Sequence, residues 1–246
     1  EFDYPANDPQ AFRNCYIHHC GNGPFTYTLD AGADCWTENI LVEGNYIDAC
    51  GNAGSTQEHN SYTESLNMTY QYNRYGPPRG GDTQVIGNGL KDRSAGLVVR
   101  YNWIEGGNRC IDAIDCEDSS TLGTNPAWDH AYMYGNVLIE RPDIGNRQVV
   151  HFGKDMHAKA RVYGYFYNNT VVSYRGSATE TRTTLVRNTS TGFFDVRNCI
   201  IYSTAAAGNQ IEITNDSSKT YPVNLRNCWL KPGYVLAGPS GGLVND

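Results

Sequence analysis

The sequence lacks the features that mark several classes of protein. No apolar run approaches the roughly 18 residues of a membrane-spanning helix, so no membrane partner is expected. No window shows the apolar stripe of an amphipathic helix, and no Cys-x-x-Cys pair is present to favour a zinc site. No signal-peptide pattern opens the chain, so we expect a processed, mature start. These absences favour a chain built from strands and turns.

Charged residues are scarce as well. They make up 18% of the 246 residues, and the formal net charge is −7, whereas glycine occurs 26 times and tyrosine 18 times. A chain of that sign does not attract nucleic acid through a general positive field, so we expect no nucleic-acid partner. An anionic polysaccharide could still bind where basic groups are concentrated locally.

The most informative feature that is present is a repeat of about 30 residues. Eight asparagines recur at this interval, and each is followed two positions later by an apolar or aromatic residue. The asparagines are Asn14, Asn45, Asn73, Asn102, Asn136, Asn169, Asn198 and Asn227. Their partners are Tyr16, Ile47, Tyr75, Ile104, Leu138, Val171, Ile200 and Trp229. A period of this length predicts a solenoid.

Short alternating runs such as 39–43, 96–100 and 191–196 precede these asparagines, and they have the periodicity of strands. Three short strands and three turns fill one repeat, which is one coil of a parallel β-helix. Asparagine suits a turn of each coil because it tolerates a left-handed backbone and its amide can bond to the asparagine of the next coil. The sequence therefore predicts an all-β solenoid of about eight coils, with residues 1–246 as a single domain.

Several blocks carry a resemblance to a known group of proteins. Residues 42–47 (VEGNYI) and 167–172 (YNNTVV) resemble blocks of right-handed parallel β-helix proteins, the pectate-lyase-like superfamily. A closer likeness, to a poorly characterised secreted β-helix subfamily, is carried by residues 59–62, 89–94, 111–115 and 149–153. The resemblance implies right-handed coils. It leaves the activity open, because this scaffold carries lyases, hydrolases, esterases and proteins without catalytic activity.

Eight cysteines favour an oxidising, extracellular location. Stacked positions of adjacent coils lie about 4.8 Å apart, which is close enough for a disulfide. The predicted pairs are Cys199 with Cys228, Cys20 with Cys50, and Cys110 with Cys116, which leaves Cys15 and Cys35. The alternative is a ladder of free thiols. Four glycosylation sequons agree with secretion, at Asn67, Asn168, Asn188 and Asn215.

Ionisable residues are concentrated in the second strand of four middle coils. Aligning these strands by their turns places Asn60, Asn88, Asp112 and His151 in one column. The same alignment places Thr63, Lys91, Asp115 and Lys154 in another. Equal positions of successive coils stack, so such columns would form a groove, although a shift of one residue would exchange inward for outward. The alternative is a solvated ladder of salt bridges that serves solubility alone.

Two reactions fit such a groove. In β-elimination Lys91 or Arg93 removes the proton beside a uronate carboxylate, and positive charge stabilises the enolate. In hydrolysis two carboxylates act as acid and base, but the paired Asp-Asp and Gly-His-Gly segments of hydrolases with this fold are absent. The predicted catalytic set is Lys91, Arg93, Asp112, Asp115, His59 and His151. The predicted substrate contacts in the groove are Asn60, Asn88, Arg109 and Lys154.

Four carboxylates within seven residues could hold Ca²⁺, which would bridge to the substrate carboxylate. They are Asp112, Asp115, Glu117 and Asp118. Such a cluster is costly unless a cation or basic neighbours neutralise it, so we expect at least two of the acids to face basic side chains.

Four tyrosines are predicted to point outward together and to contact sugar rings or a partner. They are Tyr132, Tyr134, Tyr165 and Tyr167. The sequence thus predicts a secreted carbohydrate-active protein that acts on an extracellular uronate-containing polysaccharide, with elimination ahead of hydrolysis. The rival prediction is a non-catalytic glycan-binding or structural rod that self-associates end to end or side to side.

Overall fold

The chain is wound into a parallel β-helix. The computed structural model describes residues 10–30, 37–80, 86–142, 145–157, 159–175, 183–205, 211–214, 222–234 and 243–245. Successive coils contribute strands to the same three parallel sheets, so the predicted all-β solenoid is confirmed.

The strands are short, and their bounds follow in chain order. They are β1 (Gln10–Arg13), β2 (Tyr16–His18), β3 (Phe25–Thr26), β4 (Glu38–Glu43), β5 (Tyr46–Asp48), β6 (Tyr62–Thr63), β7 (Leu66–Gln71), β8 (Arg74–Tyr75), β9 (Leu90–Asp92), β10 (Val98–Arg100), β11 (Trp103–Glu105), β12 (Ile111–Ala113), β13 (His130–Tyr134), β14 (Val137–Glu140), β15 (Gln148–Phe152), β16 (Tyr163–Tyr167), β17 (Thr170–Ser173), β18 (Thr183–Asn188), β19 (Phe194–Arg197), β20 (Ile200–Ser203), β21 (Ile211–Thr214), β22 (Val223–Arg226), β23 (Trp229–Leu230) and β24 (Leu243–Asn245).

Every third strand joins the same sheet. Sheet A has the order β1-β4-β7-β10-β13-β16-β19-β22-β24, sheet B the order β2-β5-β8-β11-β14-β17-β20-β23, and sheet C the order β3-β6-β9-β12-β15-β18-β21. The seven strands of sheet C span about six complete turns, which is fewer than the eight coils predicted. The prediction assigns one coil to each asparagine, but within the described residues sheet C has no strand beyond β21.

Helical structure is confined to one place among the described residues. The helix α1 (Ser120–Thr124) and a 3₁₀ turn (Pro126–Asp129) lie between β12 and β13. Within the described part of the chain no helix is long and apolar enough to span a membrane.

The core lies inside the coils, because alternate residues of each strand point inward. In sheet A the inward column includes Val42, Tyr70, Val99, Met133 and Phe166, all fully buried. Sheet B contributes the predicted inward residues Ile47, Tyr75, Ile104, Leu138 and Val171, which are also fully buried. The apolar partners predicted for the middle coils are therefore confirmed.

The asparagine ladder is confirmed in the five middle coils. Each side-chain amide donates to the amide oxygen of the next coil, over 3.0 Å from Asn45 to Asn73 and 3.1 Å from Asn102 to Asn136. The same oxygens accept a backbone N–H, as in the 3.0 Å bond from Asn73 N to Asn102 Oδ1. The ladder runs through Asn169, which accepts from Asn136 over 3.0 Å. The ladder thereby provides hydrogen-bond partners for buried backbone N–H groups at the turn between sheets A and B of each coil.

The ladder prediction was wrong by one residue at both ends. Asn14, Asn198 and Asn227 have φ near +50° and occupy the turn position just before the ladder. The ladder positions themselves hold Cys15, Cys199 and Cys228. Consequently Tyr16, Ile200 and Trp229 are outward and 57%, 50% and 53% exposed. Asparagine is favoured at both positions, for its side-chain amide at one and its left-handed backbone at the other, so the repeat alone does not distinguish them.

The cysteines at the ladder ends take over part of the hydrogen bonding of asparagine. Cys199 N donates to Cys228 Sγ over 3.4 Å, and Cys199 Sγ lies 3.5 Å from the carbonyl oxygen of Phe166. A thiol has one proton to donate and lone pairs that accept, so it can continue the pattern weakly.

All seven described cysteines are free thiols, so none of the predicted disulfides is formed in this structure. The Cys110–Cys116 pair is wrong, because Cys110 packs in the main core whereas Cys116 packs with Leu122 and Trp128 in a separate cluster. Oxidation of Cys199 with Cys228, or of Cys20 with Cys50, stays a prediction. Cys35 lies outside the described residues.

The sequons differ in exposure. Asn67 and Asn168 are exposed at left-handed positions, with φ of 58° and 54°. Asn188 is 2% exposed, so the folded chain does not offer it for glycosylation, contrary to prediction. Asn215 lies outside the described residues.

Candidate functional site

The middle strands of sheet C place one charged column on the outer face. Tyr62 pairs with Lys91, Lys91 with Asp112, and Asp112 with His151. The prediction placed Lys91 beside Asp115, which was wrong, because the coil between Lys91 and Asp112 is shorter than its neighbours. Its pairing of Asp112 with His151 was right.

This column opens into a groove of about 340 Å³. Its walls are formed by the outer face of sheet C and by the loops that follow β5, β8, β11, β12 and β15. It is lined by Thr56, Gln57, Tyr62, Asn88, Lys91, Arg93, Asn108, Arg109, Asp112, Glu117, Asp155, Met156 and His157. Six of these residues were predicted for the site, namely Asn88, Lys91, Arg93, Arg109, Asp112 and Glu117.

Lys91 has the most reactive setting in the groove. It is 9% exposed, and within the described residues its ammonium group makes no hydrogen bond or ion pair. The Nζ atom lies 5.3 Å from the centre of the Tyr62 ring, where the face of the ring attracts a cation. Burial lowers the pKa of Lys91, although Asp112 opposes the shift. A lysine in this setting gives up its proton more readily than one in water.

Arg93 is fixed beside Lys91 by acidic and phenolic groups. Its Nε lies 3.1 Å from both Tyr62 Oη and Glu117 Oε2, and Tyr62 donates to Glu117 over 2.5 Å. Burial would raise the pKa of Glu117, but Tyr62 and Arg93 outweigh it and the pKa is lowered. Burial and the bond to Glu117 raise the pKa of Tyr62 strongly.

Asp112 is an ionised carboxylate within a network. Its oxygens accept from Asn88 Nδ2 over 3.0 Å and from His151 Nδ1 over 2.9 Å, and Arg109 Nη1 lies at 3.5 Å. Burial would raise the pKa of Asp112, but Arg109 and His151 outweigh it and hold the pKa well below its usual range.

Asp115, which was predicted to be catalytic, is a buried structural carboxylate. It does not line the groove and is 0% exposed. Its oxygens accept from the backbone N–H groups of Asp155, over 2.9 Å, and His157, and Arg93 Nη1 lies at 3.3 Å. Asp115 therefore holds Arg93 and the loop 155–157 in place, and its predicted position in the groove wall is corrected.

The two predicted histidines and Asn60 are also buried. Burial, with Lys91 nearby, lowers the pKa of His59 to about 3, so its neutral Nδ1 accepts from Asn88 N over 2.9 Å. His151 is enclosed between Asp112 and Thr189, whose Oγ1 lies 3.0 Å from Nε2. Asn60 accepts from Cys50 N and donates to Gly76 O. These side chains lie beneath the groove and do not line it, so their predicted placement in its wall is corrected, and their predicted roles stay untested.

The four carboxylates predicted to hold Ca²⁺ do not converge. Asp112 faces Arg109, whereas Asp115 and Glu117 both face Arg93, so the expectation that at least two acids face basic side chains is confirmed. Asp118 is exposed outside the groove. Among the described residues no group of three or more His, Cys, Asp or Glu side chains is arranged to hold a metal ion.

The predicted tyrosines lie on sheet A and not in the groove. Tyr132 stacks on Tyr165 at 4.9 Å and 11°, and Tyr134 pairs with Tyr167 in the adjacent strand. Lys154 is exposed and is likewise absent from the groove walls. The placement of Lys154 in the groove beside Lys91 was wrong, whereas contact of the outward tyrosines with sugar or a partner stays a prediction.

Sequence reasoning missed several groove residues, above all Tyr62, Asp155 and His157. Tyr62 lies one residue from the predicted Thr63, and the correct strand register would have found it. His157 follows β15 by five residues, and no strand pattern signals that its loop folds back toward Asp115.

The fold and site define a parallel β-helix with a mixed-charge groove on one sheet. Comparisons with protein-family models, with curated proteins and with solved structures found no match. The likeness to the pectate-lyase-like superfamily therefore rests on the sequence blocks and the solenoid fold.

Proposed function

We propose that this protein is an extracellular polysaccharide lyase that cleaves a uronate-containing chain by β-elimination, with Lys91 as the base. The observation that carries the proposal is the amine of Lys91, which lies in the groove without an ion-pair partner among the described residues and whose pKa burial lowers. A neutral amine at this place can accept a carbon-bound proton, as a general base requires.

The surrounding charges suit a uronate. Arg109 and Arg93 line the same groove as Lys91, and their guanidinium groups would face the substrate carboxylate. Lys91 takes the proton from the carbon beside that carboxylate, and the freed electron pair first forms an enolate. Positive charge near the carboxylate stabilises this enolate in the transition state. The pair then forms a carbon–carbon double bond as the glycosidic oxygen departs with a proton.

Hydrolysis has weaker support from the same geometry. A glycoside hydrolase needs a carboxylic acid that stays protonated until it reaches the leaving oxygen. The pKa values of Asp112 and Glu117, two of the groove acids, are both lowered. These two carboxylates are better suited to hold Arg109 and Arg93 in place.

The ion pairs of these acids also favour a mechanism in which the protein's own cations meet the substrate carboxylate. Ca²⁺ would have to displace Arg109 from Asp112 or Arg93 from Glu117. We therefore expect turnover to survive treatment with a chelator. Turnover that depends on added Ca²⁺ would instead support the predicted metal-bridged elimination.

The test is a screen of polyuronates and neutral glycans that follows the absorbance of the unsaturated product and the new reducing ends separately. Lys91→Met should lower turnover by about 10²–10⁴-fold, as expected for loss of a general base, with little change in melting temperature. The matched control is Lys154→Met, an exposed lysine outside the groove. Reducing ends without unsaturated product would indicate hydrolysis. Binding without either product would indicate a non-catalytic glycan-binding rod.

A further inference from the structure

Elimination needs a second proton transfer, because the departing glycosidic oxygen must be protonated. Most polar groups of the groove are poor donors for this step. Arginine does not give up its proton in proteins. The lowered pKa values of Asp112 and Glu117 keep both ionised, and the strongly raised pKa of Tyr62 makes its hydroxyl a weak acid.

We propose that His157 is the general acid of this groove, an inference that rests on the proposed lyase function. Its imidazole lines the groove wall and is 33% exposed at the side chain, so it is accessible to a bound chain. The Nε2 atom lies 3.5 Å from Glu117 Oε1, so a carboxylate stands beside this ring nitrogen. Histidine is the side chain that most often transfers protons as a general acid or base.

The loop that carries His157 is fixed along its length by its backbone. Gly153 N donates to Ala113 O over 3.1 Å, and Lys154 N donates to Thr189 Oγ1 over 2.7 Å. The next contacts are those of Asp155 and His157 with Asp115. Four N–H groups of five successive residues are therefore held by two different segments, 113–115 and the one that contains Thr189.

Gly153 shows how closely this loop approaches its neighbour. Its φ is 126°, and a Cβ atom there would lie 2.1 Å from Ser190 N, so only glycine fits. A loop anchored in this way holds a side chain at a set place, as proton transfer requires. Asp115 and Thr189 act through this loop and are positioning residues.

The proposed step balances. Lys91 accepts the carbon-bound proton and becomes an ammonium, the electron pair forms the double bond, and the bond from carbon to the glycosidic oxygen breaks. The oxygen takes the Nε2 proton of His157, which becomes neutral. Water then restores both groups.

The experiment compares two substrates that differ in the leaving group. The first is the polyuronate found by the screen, whose departing alkoxide needs protonation. The second is a uronate with a nitrophenoxy group in the same position, which departs without an acid. His157→Gln should slow cleavage of the polyuronate by about 10²–10⁴-fold, yet remain within about tenfold of the native protein on the nitrophenoxy substrate. Lys154→Met, at an exposed lysine of the same loop that does not line the groove, should change neither.

The outcomes separate the two proposals. Equal slowing of both substrates by His157→Gln would show that His157 supports the groove without donating a proton, and would overturn this inference alone. No cleavage of either substrate by the native protein, or full activity of Lys91→Met, would overturn the lyase function and this inference with it. We expect His157→Gln to cleave the nitrophenoxy substrate at nearly the native rate and the polyuronate much more slowly.

Discussion

Two outer faces of this solenoid contain the same three kinds of side chain in different settings. In the groove of sheet C, Arg93 contacts Tyr62, Glu117 and Asp115 and is 3% exposed at its side chain. On sheet A, Arg197 pairs with Asp195 over 2.6 Å beside Tyr167, but its side chain is 44% exposed. The cation is enclosed in the groove and solvated on the tyrosine face.

The difference arises from what the stacked columns contain. On sheet A like side chains stack, so the ring faces of Tyr132 and Tyr165 cover each other. On sheet C unlike side chains stack, and the column leaves Lys91 without an ion-pair partner among the described residues. In a column of like residues each side chain contacts the one in the next coil, and these contacts stabilise the solenoid. A mixed column leaves a group that can act on a substrate.

The largest loss of folding stability is expected from a change at Asp115, beneath the groove. Asp115→Asn removes the buried charge beside Arg93 and one acceptor of the loop that carries His157. Breaking a buried pair typically costs about 3–5 kcal/mol, and we expect the lower end because Glu117 still faces Arg93. Urea unfolding measures this loss, and turnover should fall because the groove wall moves.

The matched variant on the other face is Asp195→Asn. Asp195 is 1% exposed, but its partner Arg197 is 44% exposed, so water can solvate the guanidinium that the substitution leaves unpaired and the cost should be smaller than at Asp115. If the two variants lost equal stability, the burial of the arginine would not determine how much its ion pair contributes.

The fold could be predicted from the sequence to a large extent, because one ladder residue recurs in each coil. Asn45 through Asn169 and their inward partners were placed correctly, since the amide ladder and the buried apolar side chain are local requirements. The ends of the ladder could not be placed, because Cys15, Cys199 and Cys228 take the ladder position while an asparagine stands one residue earlier.

The site could be predicted only in part. Six groove residues were named correctly, five of them charged, because charged side chains are scarce in this chain and cluster in its middle coils. The pairing of Lys91 with Asp112 depends on the length of one coil, which composition does not reveal. The roles of Asp115 and His157 depend on a loop that returns to a coil about 40 residues earlier in the chain.

A smaller effect is expected at Glu64, which lies beneath the groove wall. Its carboxylate accepts the backbone N–H groups of Glu117, Asp118 and Ser119 over 3.0–3.2 Å. Burial raises the pKa of Glu64 from 4.5 to about 7. The folded chain therefore binds this proton more tightly than the unfolded chain does.

It follows that the stability contributed by protonating Glu64 is fully present below its unfolded pKa and is lost as the pH rises through about 7. Urea unfolding at about pH 5 and about pH 8 should show a decline in the native protein that Glu64→Gln reduces. Glu38→Gln, at an exposed glutamate, should leave the decline unchanged. If Glu64→Gln lost as much stability between these two pH values as the native protein, the pH dependence would come from other groups.

The smallest effect is expected on the tyrosine face. Tyr165→Leu removes the stacking with Tyr132, which for such pairs contributes about 0.5–1.5 kcal/mol beyond area burial. Thermal unfolding should show a loss of this size, whereas Tyr174→Leu, at a tyrosine that is 50% exposed, should show less. Turnover of the polyuronate should be unchanged, because these rings lie on a different sheet from Lys91. If polysaccharide binding instead fell with Tyr165→Leu and not with Lys91→Met, the stacked rings would be the glycan contact, and sheet A would replace the groove as the binding surface.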